Sequence, residues 1–189
     1  MPSKKLRTGK SPAGKSPAGK PTTAKPAAGK PATGKAAAAP RHWLMKSEPD
    51  GFSISQLQER GREPWNGVRN YQARNYMRDM QVGDKVLFYH SNAKPSGVAG
   101  LAEVCKLAYP DPTQFDPKSE YFDPKATTAE PRWQMVDVRF VRIFAQTLAL
   151  EDLRKIPELA GMLLFQRSRL SVQPVEPEHY DLIVKLAGK

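Results

Sequence analysis

Eleven consecutive residues, Trp65-Asn-Gly-Val-Arg-Asn-Tyr-Gln-Ala-Arg-Asn75, hold two aromatics, two arginines, three asparagines and a glutamine. Flat rings stack on a nucleobase, and amide and guanidinium forks hydrogen-bond its edges and the phosphates beside it. A plainer reading stands next to that one: a turn leading into a helix, with Asn70 as its N-cap. Acid–base chemistry has one local candidate, Lys46 with Glu48, which reads equally well as an ion pair framing a pocket mouth. Asp111 and Asp116 sit among prolines in a long loop, a weak scaffold for catalysis. The single cysteine, Cys105, rules out an internal disulfide. The three histidines, His42, His90 and His179, show no metal-ligand spacing. No nucleophile–base–orienter arrangement and no phosphate-cradling glycine loop is present. Binding is expected rather than catalysis, with no cofactor and no metal.

The elements that must position these groups can be read from pattern. Residues 41–47 (RHWLMKS) form a strand closed by the turn Glu48-Pro49-Asp50-Gly51. Ser53 and Gln56 make a capping box for a short helix with Ile54 and Leu57 inward. A second helix runs from about Tyr71 to Met80, with Ala73, Met77 and Met80 as its core stripe. Arg74 and Arg78, one turn apart, repel by a few tenths of a kcal/mol unless something anionic faces them. Lys85–His90 is apolar on both faces, as in a covered sheet, which makes His90 a satisfied buried histidine rather than a catalyst. Val98–Leu107 follows, where Gly97 and Gly100 suggest a bend or close backbone approach. Residues 110–131 form a long Pro/Asp/Tyr-rich connection of the kind that is usually functional. Strand resumes over Trp133–Ala145. Helical turns are expected at Glu151–Leu159, short strands at Met162–Phe165 and Leu170–Val172, and a closing helix at Pro177–Leu186. The order describes an α+β domain on a curled sheet of mixed strands, a partial barrel with flanking helices.

Charge divides the chain. Residues 1–40 carry nine basic residues (Lys4, Lys5, Arg7, Lys10, Lys15, Lys20, Lys25, Lys30 and Lys35) and no acid. The remainder, 21 basic against 19 acidic, is nearly neutral, so the net +11 belongs to the N-terminal segment. Residues 11–35 are five pentapeptides, SPAGK, SPAGK, PTTAK, PAAGK and PATGK. This composition cannot bury enough apolar surface to offset ordering entropy, so the sequence predicts a disordered polycationic tail over 1–40 and a folded domain over 41–189. The tail resembles the lysine-, alanine- and proline-rich tails of histone H1-like proteins. Lysines interrupt any signal-peptide core, prolines and glycines forbid a mitochondrial presequence helix, and no run is long enough to span a bilayer. The expectation is a soluble intracellular protein with no membrane partner, in bacterial cytoplasm or nucleoid or in a eukaryotic nucleus.

WLMKSEPD, WNGVRNYQARNYMRDM, GDKVLFYHSN, AYPDPTQFD, PRWQMVDVRF and RLSVQPV occur in order across residues 43–183, and this succession resembles the EVE-domain family. The resemblance implies a PUA-like fold related to the YTH readers of methylated adenine. It implies a nucleic-acid partner, DNA or RNA, carrying a modified base such as 5-methylcytosine or 5-hydroxymethylcytosine, extruded into an aromatic pocket. By the same resemblance Lys46, Ser47 and Glu48 form a pocket edge, with Glu48 where YTH-like pockets carry Asn. An ionised carboxylate only accepts hydrogen bonds, so Glu48 suits a base offering an amino group; a turn contact at Pro49 is its alternative. Trp65 matches the first cage tryptophan. Trp133 and Trp43 start strands and read as core or cage. Asn70, Tyr71, Ser91 and Asn92 complete the candidate pocket, Asn70 alternatively as a cap and Ser91 and Asn92 as turn residues. Arg69, Arg74 and Arg78, with Lys10, Lys15, Lys20, Lys25, Lys30 and Lys35, are the candidate phosphate contacts. The runner-up functions are a PUA-like hydrolase of a modified pyrimidine nucleoside and a tail-driven architectural nucleoid or chromatin protein.

Overall fold

The computed structural model describes residues 41–188; the tail expected over 1–40, with its lysines, lies outside them. His42–Ser47 forms β1. Ser53 then accepts from the Gln56 N–H while the Gln56 side chain accepts from the Ser53 N–H, which is the capping box that starts α1 (Ile54–Arg60). Gly61, at φ +73°, ends that helix and turns the chain into β2 (Arg62–Pro64). Helix α2 is Tyr71–Asp79. Strands β3 (Lys85–His90), β4 (Gly97–Pro110) and β5 (Gln134–Ala149) follow. The chain closes with α3 (Leu150–Leu153), α4 (Leu163–Gln166), β6 (Val172–Val175) and α5 (Pro177–Leu186).

The six strands make one mixed sheet in the order β2-β5-β4-β3-β1-β6, in which β1 and β3 are parallel and all other neighbours antiparallel. The β1–β3 crossover carries α1, β2 and α2. Helix α2 touches β4, β5 and β6, strands far apart in the sheet order, so the sheet curls around it. The sheet remains open, with β2 and β6 as edges: a partial barrel. Both faces are covered. Trp43, Met45, Val86, Phe88, Val104 and Val136 pack against Leu57, Ala73, Met77 and Met80 on one side. Leu44, Leu87, Leu101 and Phe144 pack against Leu153, Leu164 and Ile183 on the other. Trp43 is therefore core, and its indole N–H donates to the buried Asp84 at 2.8 Å.

Strands β4 and β5 run close together through several register shifts. A Cβ at Gly97 would strike the Leu148 carbonyl and one at Gly100 the Arg142 carbonyl, so glycine is required at both. Two expectations need correction. Met162–Phe165 is a helical turn, Leu163–Gln166, rather than a strand; four successive apolar residues fit either period, and Met162 and Leu164 are the ones buried in the core. The last strand begins at Val172 rather than Leu170, because the Gln173 amide ties back to the Arg167 and Leu170 carbonyls and rounds 167–170 into a turn. Strand β2, three residues long, has no counterpart in the local sequence pattern and forms by pairing with β5.

Candidate nucleic-acid interface

A cleft of about 750 Å³ opens where β1 ends, within the range typical of sites for whole ligands. Lys46, Ser47 and Glu48 form one side, and Trp65, Gly67, Arg69 and Tyr121 contribute others. Trp65 is 7 % exposed. Its ring packs edge-on against Phe88 at 5.4 Å and Phe52 at 6.4 Å, and its backbone N–H donates to the Val136 carbonyl. The tryptophan thus closes the core and lines the cleft at once. Ser47 is held by donating its hydroxyl hydrogen to the Phe52 carbonyl at 2.6 Å. Glu48 is exposed, and its carboxylate accepts from the Asn92 amide at 3.4 Å.

The far wall is built by a fully buried carboxylate. Asp111 accepts from the Gly67 N–H (2.9 Å), Arg69 (2.8 Å), the Thr113 N–H (2.9 Å) and the Thr113 hydroxyl (2.6 Å). Burial alone would raise its pKa, but the hydrogen bonds from Arg69, Thr113 and Gly67 prevail and hold it below the usual carboxylate value. Gly67, at φ +78°, lies directly under the Tyr121 ring, where a Cβ would approach to 2.8 Å. Gln114, also fully buried, donates to the Asp111 and Trp133 carbonyls and accepts from the Arg132 and Trp133 N–H groups. The long connection after β4 is thereby fastened at both ends, and it delivers Tyr121 to the cleft.

The candidate residues separate into three groups. Lys46, Ser47, Glu48, Trp65 and Arg69 line the cleft. Ser91 and Asn92 instead line a smaller neighbouring pocket, to which Lys46 also contributes. Tyr71 and Trp133 line neither; they stack on each other at 4.8 Å, with the Arg74 guanidinium 4.9 Å from the Tyr71 ring. The Trp133 indole N–H donates to Asp123 at 2.7 Å. Asn70 is the N-cap of α2, accepting from the Ala73 N–H at 3.0 Å.

Arg69 was expected at a phosphate, yet all five of its N–H groups have acceptors inside the protein: the Val68 and Tyr121 carbonyls, Asp111 and Thr113. It clamps the loop and has no donor to spare. Arg74 directs three of its five N–H groups to Asn75 and the Arg132 carbonyl. Arg78 is exposed and makes no hydrogen bond or ion pair among the described residues. Lys46 and Glu48 form no ion pair; the Lys46 ammonium donates to the Ser168 carbonyl at 2.8 Å, and burial lowers its pKa. His90 accepts from the Ile54 N–H through Nε2 at 3.1 Å, so it is a neutral, structural histidine. Sequence reasoning missed Phe52, Gly67 and Tyr121. Only Gly67, inside Trp-Asn-Gly, carried a local signal. Among the described residues no cluster of three or more His, Cys, Asp or Glu could hold a metal, and no helix is long and apolar enough to cross a membrane.

The profile of the EVE domain matches residues 41–186. Thymocyte nuclear protein 1 from Homo sapiens is 42% identical over 167 residues, 78% of this chain and 74% of that protein. Among solved structures, a hypothetical protein from Leishmania major is 55% identical, with a TM-score of 0.77 over 79% of this chain and 95% of that one. The human THYN1 protein in complex with 5-methylcytosine-containing DNA is 42% identical, with a TM-score of 0.75 over 79% of this chain and 98% of that one. A protein from Pseudomonas putida is 50% identical, with a TM-score of 0.75 over 77% and 99%.

Proposed function

This chain belongs to the EVE-domain family, and from that premise we propose that it is a non-enzymatic reader of DNA that accepts an extruded, modified cytosine in the cleft beside β1. The observation that carries the reading is the composition of that cleft, about 750 Å³ with Trp65 and Tyr121 in its lining and the exposed carboxylate of Glu48 at its edge. Aromatic walls suit a base lifted from its stack, and the human relative solved with 5-methylcytosine-containing DNA supports the same ligand class. Trp65 is the stacking wall, and Glu48 accepts from the exocyclic amino group of cytosine. Lys46 and Ser47 line the same edge. The domain is residues 41–189, and the nine positive charges of residues 1–40 add sequence-blind affinity for the phosphate backbone. The separation of Lys46 from Glu48, each with a different partner, supports binding over turnover. The vertebrate relatives' name supports a nuclear location in a eukaryotic cell.

The test is a fluorescence titration with short DNA carrying cytosine, 5-methylcytosine, 5-hydroxymethylcytosine or N6-methyladenine. A methyl group filling a niche discriminates by ~1–3 kcal/mol, so preference for one modified cytosine is expected on the order of tens-fold. Glu48→Ala, at an exposed position that spares the core, is expected to weaken cytosine-containing ligands roughly tenfold or more by removing a charged acceptor. Equal binding of all four DNAs by the native chain would overturn the reader, and unchanged binding in Glu48→Ala would overturn the role of Glu48.

A further inference from the structure

Beside the base cleft lies a second pocket of about 160 Å³, small against the roughly 300–1,000 Å³ of sites that take whole ligands. Its walls come from the ends of the parallel pair, Lys46 of β1 and Ser91 and Asn92 after β3, and from Arg154 after α3 and Ser168 after α4. We propose that this pocket is an oxyanion site that takes a backbone phosphate adjoining the extruded nucleotide. The proposal rests on the reader function above and names a contact of that same ligand.

Four observations converge. Lys46 lines both pockets, so a group bound in one lies next to a group bound in the other. The two cavities differ in charge. The base cleft is lined by Glu48, Glu63 and Glu120, while its arginines are already engaged, Arg60 by Glu63 at 2.8 Å and Arg69 by Asp111. A phosphate would meet carboxylates there. The small pocket is lined by two cations and no carboxylate. Its donors are available: Lys46 commits one of its three N–H groups, to the Ser168 carbonyl, and the Arg154 guanidinium, 5.8 Å from the Phe165 ring, makes no side-chain hydrogen bond or ion pair among the described residues. Finally, Lys46 is half-buried with no counter-ion among the described residues. A cation removed from water without a partner is costly, and an arriving oxyanion relieves that cost through charge-assisted hydrogen bonds. Asn92, whose amide reaches Glu48 across the boundary, couples the base edge to the phosphate site.

Arg154 is exposed and forms no ion pair among the described residues, so Arg154→Ala should fold as the native chain does. The measurement is fluorescence anisotropy of the full chain on a labelled duplex carrying cytosine or 5-methylcytosine across a salt series. A phosphate contact predicts affinity weaker on the order of three- to tenfold for both DNAs. It also predicts a log–log salt slope shallower by about 0.9 and an unchanged ratio between modified and unmodified DNA. Unchanged affinity and slope would overturn the site, and a loss of the ratio alone would assign Arg154 to base recognition and overturn it too. A native chain with no preference between the two DNAs would overturn the reader instead, so the two failures are separable. In a parallel titration, inorganic phosphate should compete with DNA in the native chain and not in the variant. Saturable phosphate binding with the DNA slope unchanged in Arg154→Ala would assign a free-anion site and overturn the backbone contact.

Discussion

At the scale of single residues, the cleft depends on a group that touches none of its space. Asp111 is fully buried and gathers Gly67, Arg69 and Thr113 into one network, which fixes the Trp-Asn-Gly turn against the loop bearing Tyr121. Its pKa is held down in the folded state, so its stabilisation is fully present above the ordinary value of 3.8 and is lost as pH falls through the lower folded value. Asp111→Asn keeps the volume but turns an amide toward donors and strands the Arg69 charge. Breaking such a pair costs about 3–5 kcal/mol, and the partial exposure of Arg69 favours the low end, about 3 kcal/mol. Urea unfolding at pH 7 should resolve that loss, and the gap between native chain and variant should narrow as pH drops below about 4. A variant within 1 kcal/mol of the native chain at pH 7, an order-of-magnitude bound on surface-pair effects, would remove Asp111 from this role. The same network explains why Arg69 misled a reading by residue type. An arginine beside a pocket reads as a phosphate contact until its acceptors are known, and apart from the Val68 carbonyl those acceptors come from Asp111, Thr113 and Tyr121, more than 40 positions away in the chain.

At the scale of elements, what was legible followed range. The Ser53–Gln56 capping box, the Asn70 cap, the Ala73–Met77–Met80 stripe and the two-faced β3 are local patterns, and each corresponds to a formed element. The helical turn at 163–166, the brief β2 and the approach of Tyr121 to Gly67 are decided by distant partners, and no local period encodes them. The docking of α5 is likewise long-range, and a pH dependence is expected of it. The His42 ring of β1 lies 4.3 Å from Tyr180 of α5, and its Nδ1 is buried without a hydrogen-bond partner among the described residues. Burial lowers the His42 pKa against the opposing pull of Asp181 and Asp84, with Lys85 adding to the lowering. Burial lowers His90 as well. A depressed histidine leaves stability whole above about pH 6.5 and erodes it as pH falls toward the folded pKa. The native chain should therefore melt at a lower temperature at pH 5 than at pH 7.5. His42→Phe, which keeps the stacking and removes the orphan nitrogen, should narrow that difference while leaving the share due to His90. An undiminished difference in the variant would show that the β1–α5 contact does not titrate.

At the scale of the whole molecule, charge and shape are allotted to different stretches of sequence. Residues 1–40 supply nine positive charges, whereas the remainder is nearly balanced at 21 basic against 19 acidic. Within the described residues the cationic side chains near the cleft are mostly committed, Arg69 to its loop, Arg74 to Asn75 and Arg132, and Arg60 to Glu63. On the proposed reading a domain so arranged offers few phosphate contacts of its own, which predicts that bulk affinity for DNA comes chiefly from the N-terminal segment and discrimination from the cleft. Deleting residues 1–40 separates the two. If all nine charges meet phosphates, the log–log salt slope should become shallower by up to roughly 8, at about 0.9 per contact. The ratio of affinities for 5-methylcytosine and cytosine DNA should stay as it was, because sequence-blind contacts multiply both by the same factor. Anisotropy titrations of the full and shortened chains over one salt series measure both quantities together. Loss of the ratio with the segment would mean that residues 1–40 help hold the extruded base. Loss of all binding at low salt would instead make the chain an architectural DNA binder whose cleft serves another ligand.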